Sequence, residues 1–245
     1  AMIADSTPPQ SRGLSYCFHR AMDSGGAVLG PLLAFVLLPL IHNNYRTLFL
    51  IASVPAILSV LTLFIFVKEG KKIKEKIVNL PSLKLSTFHP KFKIFLVGAI
   101  LFTLGNSSDA FLFLRAKGLN ISVVYIPILW MVLNLVYALV SSPAGALSDR
   151  IGRKNLIVSG LFIYTIVYLG FAFATQPIHA WILFAIYGLY YGLVDGTMRA
   201  YIADLVEEEK RATAFGIYHG AVGLMALPAS LIFGWLWQSM GIPAA

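Results

Sequence analysis

Long apolar stretches separated by short polar breaks dominate the chain, and they divide it into about seven segments. Residues 27–41 are unbroken apolar, with the helix beginning near Leu14, and residues 48–67 carry one uncharged run. Residues 94–114 form a third segment, interrupted by Asn106-Ser107-Ser108-Asp109. Residues 123–140, 156–174, 180–200 and 214–237 complete the set. A helix rises about 1.5 Å per residue, so roughly 20 apolar residues cross a hydrocarbon layer about 30 Å thick. The pattern predicts an all-α, polytopic membrane helical bundle.

The polar breaks alternate in charge. Segments 5–12, 68–93, 149–154 and 204–211 hold most of the basic residues, with eight lysines in 68–93 alone. The intervening breaks hold only Arg46, Arg115 and Lys117. Basic loops favour the cytoplasmic side, so the first set is expected there and the second outside. Within 68–93, Ile73, Ile77 and Leu80 at helical spacing among lysines fit a short helix on anionic lipid. A solvated connector whose charge only sets topology fits as well.

Composition sharpens this picture. The chain is 58% hydrophobic and 12% charged, with a mean hydropathy of +0.78. A soluble domain carries about 25% charged residues, so here the outer surface itself is apolar and lipid is the partner. The net charge of +8 lies between apolar runs rather than along a polar face, which argues against nucleic acid. The single cysteine, Cys17, permits neither an intrachain disulfide nor a thiolate metal cluster and reads as a packing residue. No phosphate loop, metal cluster or nucleophile elbow occurs, so neither enzyme chemistry, a metal nor a cofactor is expected. Residues 1–13 are polar, with Pro8, Pro9 and Arg12, and contain no signal-peptide core.

The opening AMIADSTPPQSRG recurs near residue 200 as AYIADLVEEEKRA. Ala1, Ile3, Ala4, Asp5 and Arg12 meet Ala200, Ile202, Ala203, Asp204 and Arg211. Six spans lie between the copies, so both copies have the same orientation. A parallel six-helix repeat is one architecture of secondary transporters.

Residues 145–154, GALSDRIGRK, lie between two spans on the basic side. They resemble the signature loop of the major facilitator superfamily (MFS), G-x-L-[AS]-D-R-x-G-R-[RK], at Gly145, Leu147, Asp149, Arg150, Gly152, Arg153 and Lys154. Gly26-x-x-x-Gly30-Pro31 matches part of that family's antiporter motif, G-x-x-x-G-P-x-x-G-G, whose closing glycines are Ala34 and Phe35 here. Helix packing alone explains those small residues equally well. The resemblance runs over essentially the whole chain and aligns it with the fifth to eleventh of twelve helices. It implies that the first four helices and the twelfth are missing. Residues 1–67 then end the first six-helix half, 68–93 link the halves, and 94–245 form most of the second.

The resemblance implies alternating access between two six-helix halves, with a small-molecule substrate at their interface. It points to a multi-pass permease of the exporter type in a bacterial cytoplasmic (inner) membrane, working as a proton antiporter. Import of a metabolite by proton symport is the alternative, and a non-transporting receptor or scaffold is a third reading. The proton gradient replaces any cofactor. The sequence leaves the oligomeric state open, with a monomer as the simplest form of the complete protein.

The resemblance also carries the family aspartate onto Asp149, which is expected to face the start of the first helix, near residues 12–17, and to latch the cytoplasmic side. Capping of its own turn is the other reading. Ionisable residues inside spans are functional candidates by default. Asp109, after the weak stretch containing Asn106, is a candidate proton carrier, or else a capping residue paired to Arg115. Tyr187, Tyr191, Asp195 and Arg199 lie along one span, with Asp195 and Arg199 at i,i+4 spacing. That pair is either charge compensation or a gate or substrate contact, with the tyrosines as flat, amphipathic cavity walls, and Arg20 with Asp23 forms a comparable i,i+3 pair. Gly188, Gly192 and Gly196 form a small-residue stripe expected to pack helices. His219 reads as hydrogen-bonded structure.

Overall fold

The computed structural model of the protein describes residues 7–42, 44–66, 85–106 and 108–241. The short helix considered for residues 73–80, Ser107, and the repeat positions at residues 1–5 lie outside them. The described residues form helices, and among them no strand occurs.

Eight α-helices follow in order: α1 (Arg12–Leu40), α2 (Tyr45–Phe66), α3 (Pro90–Leu104), α4 (Asp109–Gly118), α5 (Ile126–Ile151), α6 (Arg153–Phe173), α7 (Pro177–Leu205) and α8 (Arg211–Met240). Several starts are written in the sequence. Proline occupies the first helical turn of α3, α5 and α7, where its missing N–H costs nothing. His89 caps α3, its Nδ1 accepting from Lys91 N at 3.2 Å. Gln176 and His179 cap α7 reciprocally.

Among the described residues six stretches are long and apolar enough to cross a bilayer: Tyr45–Thr62, Pro90–Gly118, Ile126–Ile151, Arg153–Phe173, Pro177–Leu205 and Glu208–Met240. With 29 residues, α1 is a further long helix. α3 and α4 share one stretch: α3 ends at Leu104 with Gly105 as its C-cap, and α4 starts at Asp109 with Ser108 as its N-cap. The break is where the polar run stands in the sequence.

The chain divides into two compact units, residues 1–27 with 83–245, and residues 28–82. The division falls within α1. In the smaller unit, Asn44 Oδ1 accepts from the backbone of Arg46 at 3.1 Å and Thr47 at 3.3 Å, starting α2. The hydroxyls of Ser53 and Thr62 donate to carbonyls one turn back, so the helix carries them without an outside partner. Phe49 and Phe64 are exposed.

In the larger unit, α5 and α6 both pack on α7, and α3 packs on α8. The core between α5, α6 and α7 holds Leu129, Leu133, Val167, Phe171, Phe184 and Tyr187. Lipid offers no hydrophobic drive for helices to associate, so close contact and buried hydrogen bonds hold them. The glycine stripe of α7 supplies the contact. A Cβ at Gly192 would lie 2.9 Å from Val140 Cβ on α5, and one at Gly196 would lie 2.8 Å from Cys17 Cα on α1. Arg115 on α4 donates to the carbonyls of Phe171 (3.0 Å) and Ala174 (2.5 Å), closing the C-terminal end of α6. It does not pair with Asp109: free helix-end carbonyls are within its reach and satisfy its donors.

Candidate functional site

The signature residues are mostly helical. Gly145 through Ile151 belong to α5, and Gly152 alone separates α5 from α6. Gly152 has φ 93° and ψ 135°, a conformation that favours glycine. Gly145 lies inside α5, six residues before its end. Its Cβ would lie 2.6 Å from Gly13 O and 2.7 Å from Cys17 Cβ, so its bare backbone lets α5 touch α1.

That approach brings Asp149 to the first turn of α1. Its Oδ1 accepts from Gly13 N at 3.0 Å and its Oδ2 from Leu14 N at 2.9 Å. These N–H groups lack acceptors within their own helix, and the helix end is partly positive, so a carboxylate is favoured there. Arg153 donates to Asp149 Oδ1 at 3.1 Å and to Pro9 O at 2.7 Å. It also lies 2.9 Å from Asp204 Oδ2, and Arg12 bonds Asp204 Oδ1 at 3.1 Å. Asp149, Arg153, Asp204 and Arg12 thus alternate in charge across α5, α6, α7 and α1. Arg150 and Lys154 stay exposed. Asp204 and Arg12 were not singled out as site residues, although both lie in the repeated segment, the one signal that marks them.

A second group surrounds the break between α3 and α4. Tyr187 donates to Asp109 Oδ1 at 2.7 Å and Tyr191 to Oδ2 at 3.0 Å. Ser108 caps α4, its hydroxyl accepting from Ala110 N at 3.4 Å. Asn106 Oδ1 accepts from Tyr164 at 3.1 Å and Tyr168 at 3.4 Å, so tyrosines of α6 and α7 hold both sides of the break. No cationic side chain among the described residues pairs with Asp109. A cavity of about 500 Å³ opens beside it, lined by Asn106, Asp109, Tyr191, Asp195 and residues of α8.

Asp195 differs from Asp109 in one respect, the presence of cations. Its carboxylate forms an ion pair with Arg20 of α1 and accepts from Arg199 Nε at 3.3 Å. Tyr137 of α5 donates to it at 2.5 Å and accepts from Arg20 Nε at 3.0 Å. Arg20 Nη1 also meets Asp23 at 2.5 Å. The i,i+4 spacing exposed the Arg199 pair, but nothing in the sequence linked Arg20 or Tyr137 to Asp195. Tyr191 and Asp195 also line a second cavity of about 230 Å³ with Arg20, Asp23 and Tyr137.

α1 runs unbroken through Gly26, Gly30 and Pro31. A Cβ at Gly26 would meet no atom within 4 Å. His219 contacts the rings of Phe215 and Tyr218.

The Major Facilitator Superfamily profile matches residues 1–241. The chain belongs to the Major Facilitator Superfamily. An uncharacterised MFS-type transporter of Methanocaldococcus jannaschii is 38% identical over 251 residues, covering 97% of this chain and 61% of that protein. An uncharacterised Mycobacterium bovis protein is 23% identical over 97% of this chain and 59% of its own length. The tetracycline resistance protein, class C, of Escherichia coli is 39% identical over 90 residues, 35% of this chain and 22% of that protein. The chain therefore spans 61% and 59% of the first two relatives. As a superfamily member it is a multi-pass integral membrane protein of a transporter family.

Proposed function

We propose that this chain belongs to a proton-coupled exporter that moves a small molecule across the cytoplasmic membrane by alternating access. Asp109 carries the reading. It is a carboxylate within a broken span, bonded by two phenols, beside a cavity, with no cationic partner among the described residues. An ionisable group so placed marks ion and proton pathways. Asp195, with Arg20 and Arg199 beside it, is the charge-compensated member and ties α1 to α7.

Asp149 acts as a latch on the side where the basic loops lie, its carboxylate clasping the start of α1. Opening that side parts α5 from α1, and the Arg12–Asp204 pair and the Arg153–Pro9 bond break with it. Export is favoured over import by the relative named for tetracycline resistance, because a transporter confers resistance by removing the compound.

The test uses the full-length protein in proteoliposomes with an imposed pH gradient and tetracycline as the first probe, followed by a panel of amphiphilic compounds. Gradient-driven counterflow of compound and protons, lost in Asp109→Asn, is expected. Co-directional flux establishes symport instead. Gradient-independent flux, or coupling intact in Asp109→Asn, overturns the assignment of Asp109.

A further inference from the structure

The larger cavity has a one-sided charge. Among the described residues two carboxylates line it, Asp109 and Asp195, and no lysine, arginine or histidine does. The arginines compensating Asp195 approach from elsewhere: Arg20 lines the second cavity, and Arg199 reaches back along α7. Asp109 is therefore the uncompensated charge at the wall. Much of the remaining wall is aromatic or polarisable, with Phe102, Tyr190, Tyr191, Tyr218 and Met198. The phenols of Tyr187 and Tyr191 donate to Asp109, which fixes its carboxylate at the cavity edge.

A site of about 500 Å³ falls within the range of drug-sized pockets. Ring faces attract cations and apolar bodies alike, and a lone carboxylate selects positive charge. Among the described residues of the wall an anion would meet two carboxylates and no cation. A divalent metal would need several oxygen ligands around one point, and no group of three or more acidic, histidine or cysteine ligands occurs among the described residues. We infer that the cavity beside Asp109 binds a monovalent organic cation with an apolar or aromatic body, its charge seated at Asp109 and its body against Phe102, Tyr190 and Tyr218.

The inference rests on the proton-coupled reading in one respect. If Asp109 also holds the transported proton, the cation and the proton compete for one carboxylate. Each cation bound to the protonated protein then releases one proton to solvent, with no covalent change.

Tetraphenylphosphonium and tetraphenylborate, similar in shape and opposite in charge, provide the probes. With purified full-length protein, saturable binding of radiolabelled tetraphenylphosphonium is expected, without competition from tetraphenylborate. Asp109→Asn should raise its Kd at least about tenfold with an unchanged melting curve. Phe102→Leu keeps the charge and should raise Kd about threefold by removing one ring face. Absence of saturable phosphonium binding, equal competition by the borate, or undiminished binding in Asp109→Asn overturns the inference. Asp109-dependent phosphonium binding without proton release supports the cation site and rejects the shared proton. Gradient-driven transport through Asp109 without phosphonium binding rejects the cation site alone.

Discussion

Replacing Asp149 by asparagine keeps the size of the side chain and removes its charge. The carboxylate accepts from two backbone N–H groups, at 3.0 and 2.9 Å, and from Arg153 at 3.1 Å. Its side chain is 10% exposed, so water competes little for these bonds. An amide offers one acceptor oxygen and turns its NH2 toward the other N–H. One charge-assisted bond of about 1.5–3 kcal/mol is lost and the other reverts to about 1 kcal/mol. Arg153 keeps Pro9 O and Asp204, which offsets part of the change. A net weakening of about 2 kcal/mol remains, or roughly 30-fold in the opening equilibrium. Cys17 reports on it directly. It is fully buried where α1 meets Gly145 of α5 and Gly196 of α7. Its alkylation by N-ethylmaleimide, followed by mass spectrometry of the peptide, should accelerate by about 30-fold in Asp149→Asn when opening precedes labelling. A labelling rate within twofold of wild type, in protein that inserts normally, refutes the clasp.

Gly145→Ala places a methyl group against Gly13 O and Cys17, so a melting curve should show a loss of about 1–3 kcal/mol, while Gly216→Ala, with open space around it, should show none. Arg20→Gln leaves Asp195 with Arg199 as its one cation beside the Tyr137 hydroxyl and should destabilise the detergent-solubilised protein by about 3 kcal/mol. Adding Asp195→Asn should recover part of that loss in a double-mutant cycle, and strict additivity would disprove the pairing. Arg115→Ala frees the carbonyls of Phe171 and Ala174 and should raise hydrogen exchange at the end of α6, with Arg115→Lys intermediate.

The sequence showed most of the architecture because lipid demands long uncharged runs, and these stand out without any knowledge of tertiary contacts. The break at Gly105–Ser108 was legible for a related reason: polar residues cluster where the helix interrupts. Facing was not legible. Apolar residues cover lipid-facing and buried positions alike, so Leu101 is exposed and Leu96 buried on the same helix. The Asp195–Arg199 pair is local and followed from spacing. The partners of Asp109 came from a helix distant in sequence, and Arg20 reached Asp195 from α1. The role of Gly145 was not legible either, because a turn and a helix crossing both select glycine and only the neighbouring backbone tells them apart.

With Gly152 as the sole residue between them, α5 and α6 have almost no slack. Neither helix can slide along its axis by a turn, about 5.4 Å, without dragging the other. The pair behaves as one stiff paddle. Asp149 sits at the end of one arm and Arg153 at the beginning of the other, so any motion of the pair away from residues 9–14 breaks both contacts together.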